Sequence, residues 1–220
     1  MGFQFLDKDG QALKPIGANL LKIKRIAPPT KIIDCKLTIL CDVDNPLYGP
    51  QGAANIYGPQ KGATTAELNY LDNAAIAFSE LIKQQFGKDI AELKGGGAAG
   101  GIAAGLYGML TDVSIVRGFD FIADVLDLED HIRQADFVIT GEGKFDEQSL
   151  QGKVVGQMMS LCRNHKKPLS IIAGSIDLSG ARCQSFGVKS YHTLIERAES
   201  IDDSIANAEK YLGEIAAEIF

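Results

Sequence analysis

No run of apolar residues in this 220-residue chain approaches the roughly 20 needed to cross a bilayer, so a membrane span is not expected. The opening residues, Met1-Gly2-Phe3-Gln4-Phe5-Leu6-Asp7, place no basic stretch ahead of an apolar one, and a secretory signal is not expected either. Positive charge is in deficit: 22 Lys and Arg against 28 Asp and Glu give a net charge of −6, which speaks against a nucleic-acid partner. There are four cysteines and no Cys-x-x-Cys pair. The three histidines, His131, His165 and His192, are scattered, so no zinc centre is expected and the thiols read as reduced residents of the cytoplasm. Neither a Gly-x-Ser-x-Gly elbow nor a His-Glu-x-x-His helix occurs, and the protein-kinase signatures are absent, which lowers hydrolase and protein-kinase readings. No repeat of solenoid length is visible. What remains, at 45% apolar and 23% charged, is the composition of a folded globular chain long enough to bury a sizeable core.

Glycine is what the chain does have: 24 residues, seven of them between Gly95 and Gly108. Around them the apolar pattern alternates between two periods. Phe3–Leu6 and Gln11–Leu13 read as a hairpin about an Asp7-Lys8-Asp9-Gly10 turn. A calcium loop is disfavoured because Ala18 stands where the twelfth-position glutamate belongs. Residues 36–42 read as a buried strand broken by Asn45-Pro46, and residues 137–140 and 169–173 as two more, with another near 189–194. Thr64 to Phe86 reads as a helix, with a Thr64/Glu67 capping box, an apolar stripe through Leu68, Leu71, Ala75, Phe78 and Ile82, and a stop at Gly87. Shorter helices are expected around 122–126 and over 154–164. A long final helix is expected on the stripe Ile201, Ile205, Ala208, Leu212, Ile215 and Ile219. Short apolar strands alternating with amphipathic helices predict an α/β fold: parallel-sheet layers with helices on both faces.

In such sheets ligands bind beyond the carboxyl ends of the strands. Three expected strand ends carry suggestive chemistry: Asp42-Val43-Asp44-Asn45-Pro46, Gly141-Glu142-Gly143-Lys144-Phe145-Asp146, and Gly174-Ser175. Carboxylates with lysines and glycine-rich backbone suit phosphoryl transfer, in which hard magnesium wants oxygen ligands, cations and N–H groups balance phosphate, and one carboxylate takes the acceptor proton. On charge and placement, Asp42, Asp44, Glu142 and Asp146 are the candidate catalytic acids, with Asp42 and Asp44 also the candidate metal ligands. The candidate substrate- and phosphate-binding residues are Lys61, Gly96, Gly97, Gly100, Gly101, Gly141, Gly143, Lys144, Lys153 and Ser175. The same Asp-rich segment is also ordinary turn chemistry. The Gly-x-G-x-x-G within Gly95–Gly101 lacks the preceding strand of a dinucleotide fold, and serves either phosphate binding or close helix packing. Gly58-Pro59-Gln60-Lys61-Gly62 reverses the Gly-Lys order of a P-loop.

Taken in order, Cys41-Asp42-Val43-Asp44-Asn45-Pro46-Leu47-Tyr48-Gly49-Pro50, Gly58-Pro59-Gln60-Lys61-Gly62-Ala63, Gly96 to Gly101, Ala135 to Ser149, Gly152-Lys153 and Ala173-Gly174-Ser175 resemble the type I glycerate kinase family over nearly the whole chain. The resemblance implies ATP-dependent, magnesium-assisted phosphorylation of D-glycerate, to 2-phosphoglycerate in many members. It also implies two α/β parts, one flavodoxin-like and one restriction-endonuclease-like, here expected over residues 1–130 and 131–220. Against that pattern Lys144 replaces an arginine, and Val155 stands where proline is common. A longer N-terminal region with Pro-Asp-Ser-Phe-Lys-Gly and Gly-Gly-Ser-Ala-Thr-Asn-Asp-Gly-Gly segments has no counterpart here. Two outcomes are therefore expected: a glycerate kinase, or an inactive remnant that binds nucleotide or a partner. A homo-oligomer is expected from apolar surface left uncovered.

Overall fold

The computed structural model describes residues 1–31, 35–150 and 154–219, which form two compact units, Met1–Phe121 and Ile122–Phe220. In the first unit, β1 (Gln4–Leu6) pairs antiparallel with β2 (Arg25–Ala27). The Asp7–Gly10 turn forms as expected, with the Asp7 carboxylate accepting from Asp9 N and Gln11 N at 2.9 Å each. The return arm of the expected hairpin is only a bridge between Leu6 and Ala12, because the ladder of β1 is taken by β2. A parallel pair follows, β3 (Leu37–Leu40) with β4 (Val113–Val116). Between them run α1 (Ala53–Tyr57), α2 (Thr65–Phe86) and α3 (Ile102–Met109). β3 is only half-buried: in a two-stranded sheet neither strand is enclosed, and Leu40 remains exposed.

α2 matches its sequence signals. Thr64 accepts from Glu67 N while Glu67 accepts from Thr64 N, and Gly87 closes the helix in the left-handed conformation. Its inner face brings Ala75 and Ile82 against Ile23, Ile26, Leu47, Ile90 and Ala104. Lys88 Nζ donates to the Tyr107 and Leu110 carbonyls, satisfying the C-terminal end of α3. α4 (Gly118–Val125) crosses the division between the units.

The second unit contains α5 (Leu128–Gln134), β5 (Val138–Phe145), α6 (Glu147–Leu150), α7 (Val154–Asn164), β6 (Leu169–Ile176), α8 (Gly180–Ser185), β7 (Val188–Thr193), α9 (Ile201–Ala206) and α10 (Ala208–Ile219). Residues 130 and 131 fall inside α5. The strands form a parallel sheet in the order β5-β6-β7. Alternation along β6 separates two cores. Leu169, Ile171 and Ala173 join Ile132, Phe145, Val155, Met159 and Cys162 in one, whereas Ile172 packs with Leu194, Tyr211 and Ile215 in the other. Helices thus cover both faces.

Three expectations need correction. Strand β5 continues through Gly141-Glu142-Gly143-Lys144 instead of ending at Thr140, and β6 continues to Ile176 instead of ending at Ala173. Glycine here is not a breaker but the residue that lets the two backbones approach. A Cβ on Gly141 would lie 2.4 Å from the Ile172 carbonyl oxygen, and one on Gly174 2.5 Å from that of Gly143. The final helix is two, broken at Asn207, whose ψ of 24° interrupts the helical path. Its core contacts come from Tyr211 and Ile215, while Ile201 and Ile205 stay 70% and 72% exposed.

Candidate active site

In the first unit the loop after β3 is held from three sides. Asp42 Oδ1 accepts from Gly118 N at 2.9 Å, so the carboxylate caps the start of α4. Asp44 Oδ2 pairs with Arg117 Nη2, also at 2.9 Å. The Asn45 side chain donates to the Gln51 carbonyl and accepts from Tyr57 Oη. The glycine stretch forms the third side. Gly97 N donates to the Asn45 carbonyl at 2.9 Å, and a Cβ on Gly97 would sit 2.3 Å from the Pro46 carbonyl oxygen. A Cβ on Gly95 would meet the Cys41 sulfur at 2.7 Å, and one on Gly96 the Leu93 carbonyl oxygen at 2.8 Å.

The two readings of the glycines therefore divide along the stretch. Gly95, Gly96 and Gly97 are buried packing glycines. Ala99, Gly100 and Gly101 have φ of 50°, 73° and 98° and lead into α3. Gly100 and Gly101 share with Lys61 a cavity of about 450 Å³ whose apolar walls include Leu20, Leu71 and Phe78.

In the second unit Gly141, Glu142, Gly143, Gly174 and Ser175 line an open cavity of about 780 Å³ together with Ile201, Ile205, Ala208 and Leu212. Glu142 Oε1 is buried and has no hydrogen-bond partner among the described residues. The neighbouring charges are paired. Lys144 Nζ lies 2.6 Å from Asp177 Oδ2, and that hydrogen bond raises the lysine pKa. Asp146 Oδ1 accepts from Gln148 N at 2.9 Å and Ser149 N at 3.3 Å, which makes it the cap of α6. Glu147 accepts from Arg182 Nε and Nη2, one on each carboxylate oxygen. Lys153 lies outside the described residues.

The candidate residues thus fall into groups. Asp42 and Asp44 share one loop, Lys61 joins Gly100 and Gly101, and Gly141, Glu142, Gly143 and Ser175 share a cavity. Sequence reasoning missed Arg117 and Asp177. Arg117 was hidden because β4 was not recognised. An arginine directly before the glycine that follows Val113-Ser114-Ile115-Val116 was the available signal. Among the described residues no three His, Cys, Asp or Glu side chains are grouped to cage a metal. Magnesium, however, commonly takes one or two carboxylates and completes its shell with phosphate oxygens and water. The exposed, oxygen-only donors Asp42 and Asp44 fit that pattern, although Arg117 competes for one of them. No described helix is long and apolar enough to cross a membrane.

The described residues thus form parallel α/β sheets whose cavities are lined partly by glycines and, in the second unit, by an acid. The model of the glycerate kinase family matches residues 1–220, and the chain belongs to that family. It is 34% identical over 222 residues to the glycerate kinase of Halalkalibacterium halodurans, and 33% identical over 213 residues to the glycerate 2-kinase of Escherichia coli. These alignments cover 100% and 94% of this chain but only 58% and 55% of those relatives. A crystal structure of a Salmonella typhimurium protein named as a glycerate kinase 2 superposes with a TM-score of 0.72 at 33% identity, covering 87% of this chain and 49% of that one. The chain spans somewhat over half the length of the curated relatives it matches.

Proposed function

We propose that this chain acts in the cytoplasm in the ATP-dependent, magnesium-assisted phosphorylation of D-glycerate to 2-phosphoglycerate. Family membership supports the reaction class, and the unpartnered buried oxygen of Glu142 is the observation that carries the site. A buried carboxylate oxygen without a donor is costly unless a ligand proton or hydrogen bond meets it. Of the four candidate acids, Glu142 is thus the one whose carboxylate oxygen awaits a proton, and it takes the proton of the acceptor hydroxyl. Ser175, on the wall of the same cavity, orients that hydroxyl. Asp146 acts through the cap it places on α6.

In the other unit, Lys61 and the start of α3 at Gly100 and Gly101 offer a cation and a helix N-terminus to phosphate. Asp42 and Asp44 are the residues that would hold magnesium, which when bound neutralises phosphate charge. Coupled detection of ADP release with D-glycerate, ATP and magnesium tests the reading. Glu142→Gln should lower kcat by about 10²- to 10⁴-fold with an unchanged circular dichroism spectrum. Undiminished turnover in that variant would remove Glu142 from its role.

The second reading is a non-catalytic chain that binds nucleotide or associates with another copy. The exposed stripe of Ile201, Ile205 and Leu212 favours it, because apolar surface of that kind marks an interface. Nucleotide binding without ADP release by the unsubstituted chain would select it.

A further inference from the structure

Register across the three-stranded sheet places Glu142 opposite Ala173, and Ala173 opposite Thr193. Paired residues of parallel strands project from the same face, so these three form one row across β5, β6 and β7. Glu142 Oε1 and Thr193 Oγ1 are both buried without a hydrogen-bond partner among the described residues, and Thr193 is only 6% exposed. The residue between them contributes a single methyl group. Two strand spacings of about 4.8 Å put the ends of the row about 10 Å apart at Cα, too far for direct contact by a short threonine side chain.

We propose that Thr193 is a positioning residue for Glu142, acting through one internal water that the threonine hydroxyl and the glutamate carboxylate share across Ala173. The chemistry is complementary. A carboxylate only accepts, a hydroxyl donates or accepts, and a water between them can do both. Buried waters sit where two to four polar groups would otherwise be unsatisfied, and they are held there because the alternative is a desolvated orphan. The row lies on the face where Ala173 meets Ile132, Phe145, Val155 and Met159, and Glu142 and Ala173 also contribute to the lining of the large cavity. The device orients the carboxylate before substrate arrives, and it deepens the assignment of Glu142 as proton acceptor, on which it rests.

The test reads the bridge without reading turnover. The Glu142 side-chain carboxyl carbon is followed by 13C NMR in the full chain, assigned by its loss in Glu142→Gln. Thr193→Val, which keeps the shape and removes the hydroxyl, should move that resonance. Thr193→Ser should leave it in place. A crystal structure of the unsubstituted chain should show an ordered water within about 3.2 Å of both oxygens. An unmoved resonance in folded Thr193→Val, an equal displacement in Thr193→Ser, or no such water overturns the proposal. An inactive chain that keeps the water and the NMR response would instead overturn the functional reading and leave the bridge standing.

Discussion

Gly97→Ala isolates the coupling between the glycine stretch and the Asp42–Pro46 loop. Gly97 has φ of −78° and ψ of −8°, a conformation alanine adopts freely, so any effect is steric rather than conformational. The new Cβ would lie 2.3 Å from the Pro46 carbonyl oxygen and 3.2 Å from that of Asn45, and the closest contact must open by about 1 Å. Both neighbours are backbone, so no side chain can rotate away. The displacement also pulls at the hydrogen bond from Gly97 N to the Asn45 carbonyl. Overpacking of this kind costs about 1–3 kcal/mol and a lost hydrogen bond about 1 kcal/mol, offset by about 0.5 kcal/mol from restricting the unfolded chain. The net loss is about 1.5–3.5 kcal/mol. Hydrogen exchange of the slowest α2 amides, read by mass spectrometry, should accelerate about 10- to 300-fold. Gly100→Ala is the internal comparison. It meets nothing within 4 Å but sits at φ of 73°, and should lose only about 1 kcal/mol from left-handed strain. A loss below about 0.5 kcal/mol in Gly97→Ala, or a larger loss in Gly100→Ala, would refute the packing argument.

Two further outcomes follow from the second unit. Tyr211 donates to Asp203 at 2.7 Å; that bond, with burial, pushes the phenol up to about 12. A pKa raised above the unfolded value of about 10 stabilises the fold fully below that pH and is lost as pH rises toward 12, so the alkaline stability limb should move down in Tyr211→Phe. The same bond, followed by donation from Glu199 N, lowers Asp203, so its contribution is present above its unfolded value and lost as pH falls through the lower folded one. Tyrosinate absorbance and unfolding against pH read both limbs. Replacing Ile201 and Ile205 together by Lys should weaken any self-association by at least about tenfold in sedimentation, since each isoleucine buried there contributes about 2 kcal/mol. An unchanged size distribution would separate this stripe from the interface.

The sequence was most legible where a local signal and tertiary burial agree. Thr64, Glu67 and Gly87 specify α2 by hydrogen bonds within a few residues, and its apolar stripe meets the core that those bonds anticipate. It was least legible where a residue type has two uses. Gly141, Gly143 and Gly174 read as the end of a strand, yet they lie inside paired strands, and at Gly141 and Gly174 only the absence of a Cβ lets β5 and β6 approach. The stripe from Ile201 to Ile219 has helical spacing throughout, but spacing carries no information about the break at Asn207, nor about the failure of its first half to find a core. β4 escaped recognition because four half-buried residues between a glycine-rich helix and an arginine give a weak pattern.

The same division explains the site. Sequence placed acids and lysines near strand ends, but could not rank them, because rank depends on what each carboxylate already touches. Asp42 caps α4, Asp44 faces Arg117, and Asp146 caps α6; each has a protein donor that lowers the demand for any other. Glu142 has one oxygen that none of the described residues satisfies. An acid whose partners are all internal can be conserved in chemistry by any fold that needs a cap or a pair. An acid left unpaired at a cavity wall stabilises nothing by itself, and its desolvation is compensated only when something binds. The distinction arises from long-range register, Gly141 with Ile172 and Glu142 with Ala173, which no local pattern encodes. It is also why the glycines and the acid belong to one device. The close approach of β5 to β6 fixes the backbone on either side of Glu142, and so fixes where its carboxylate can reach.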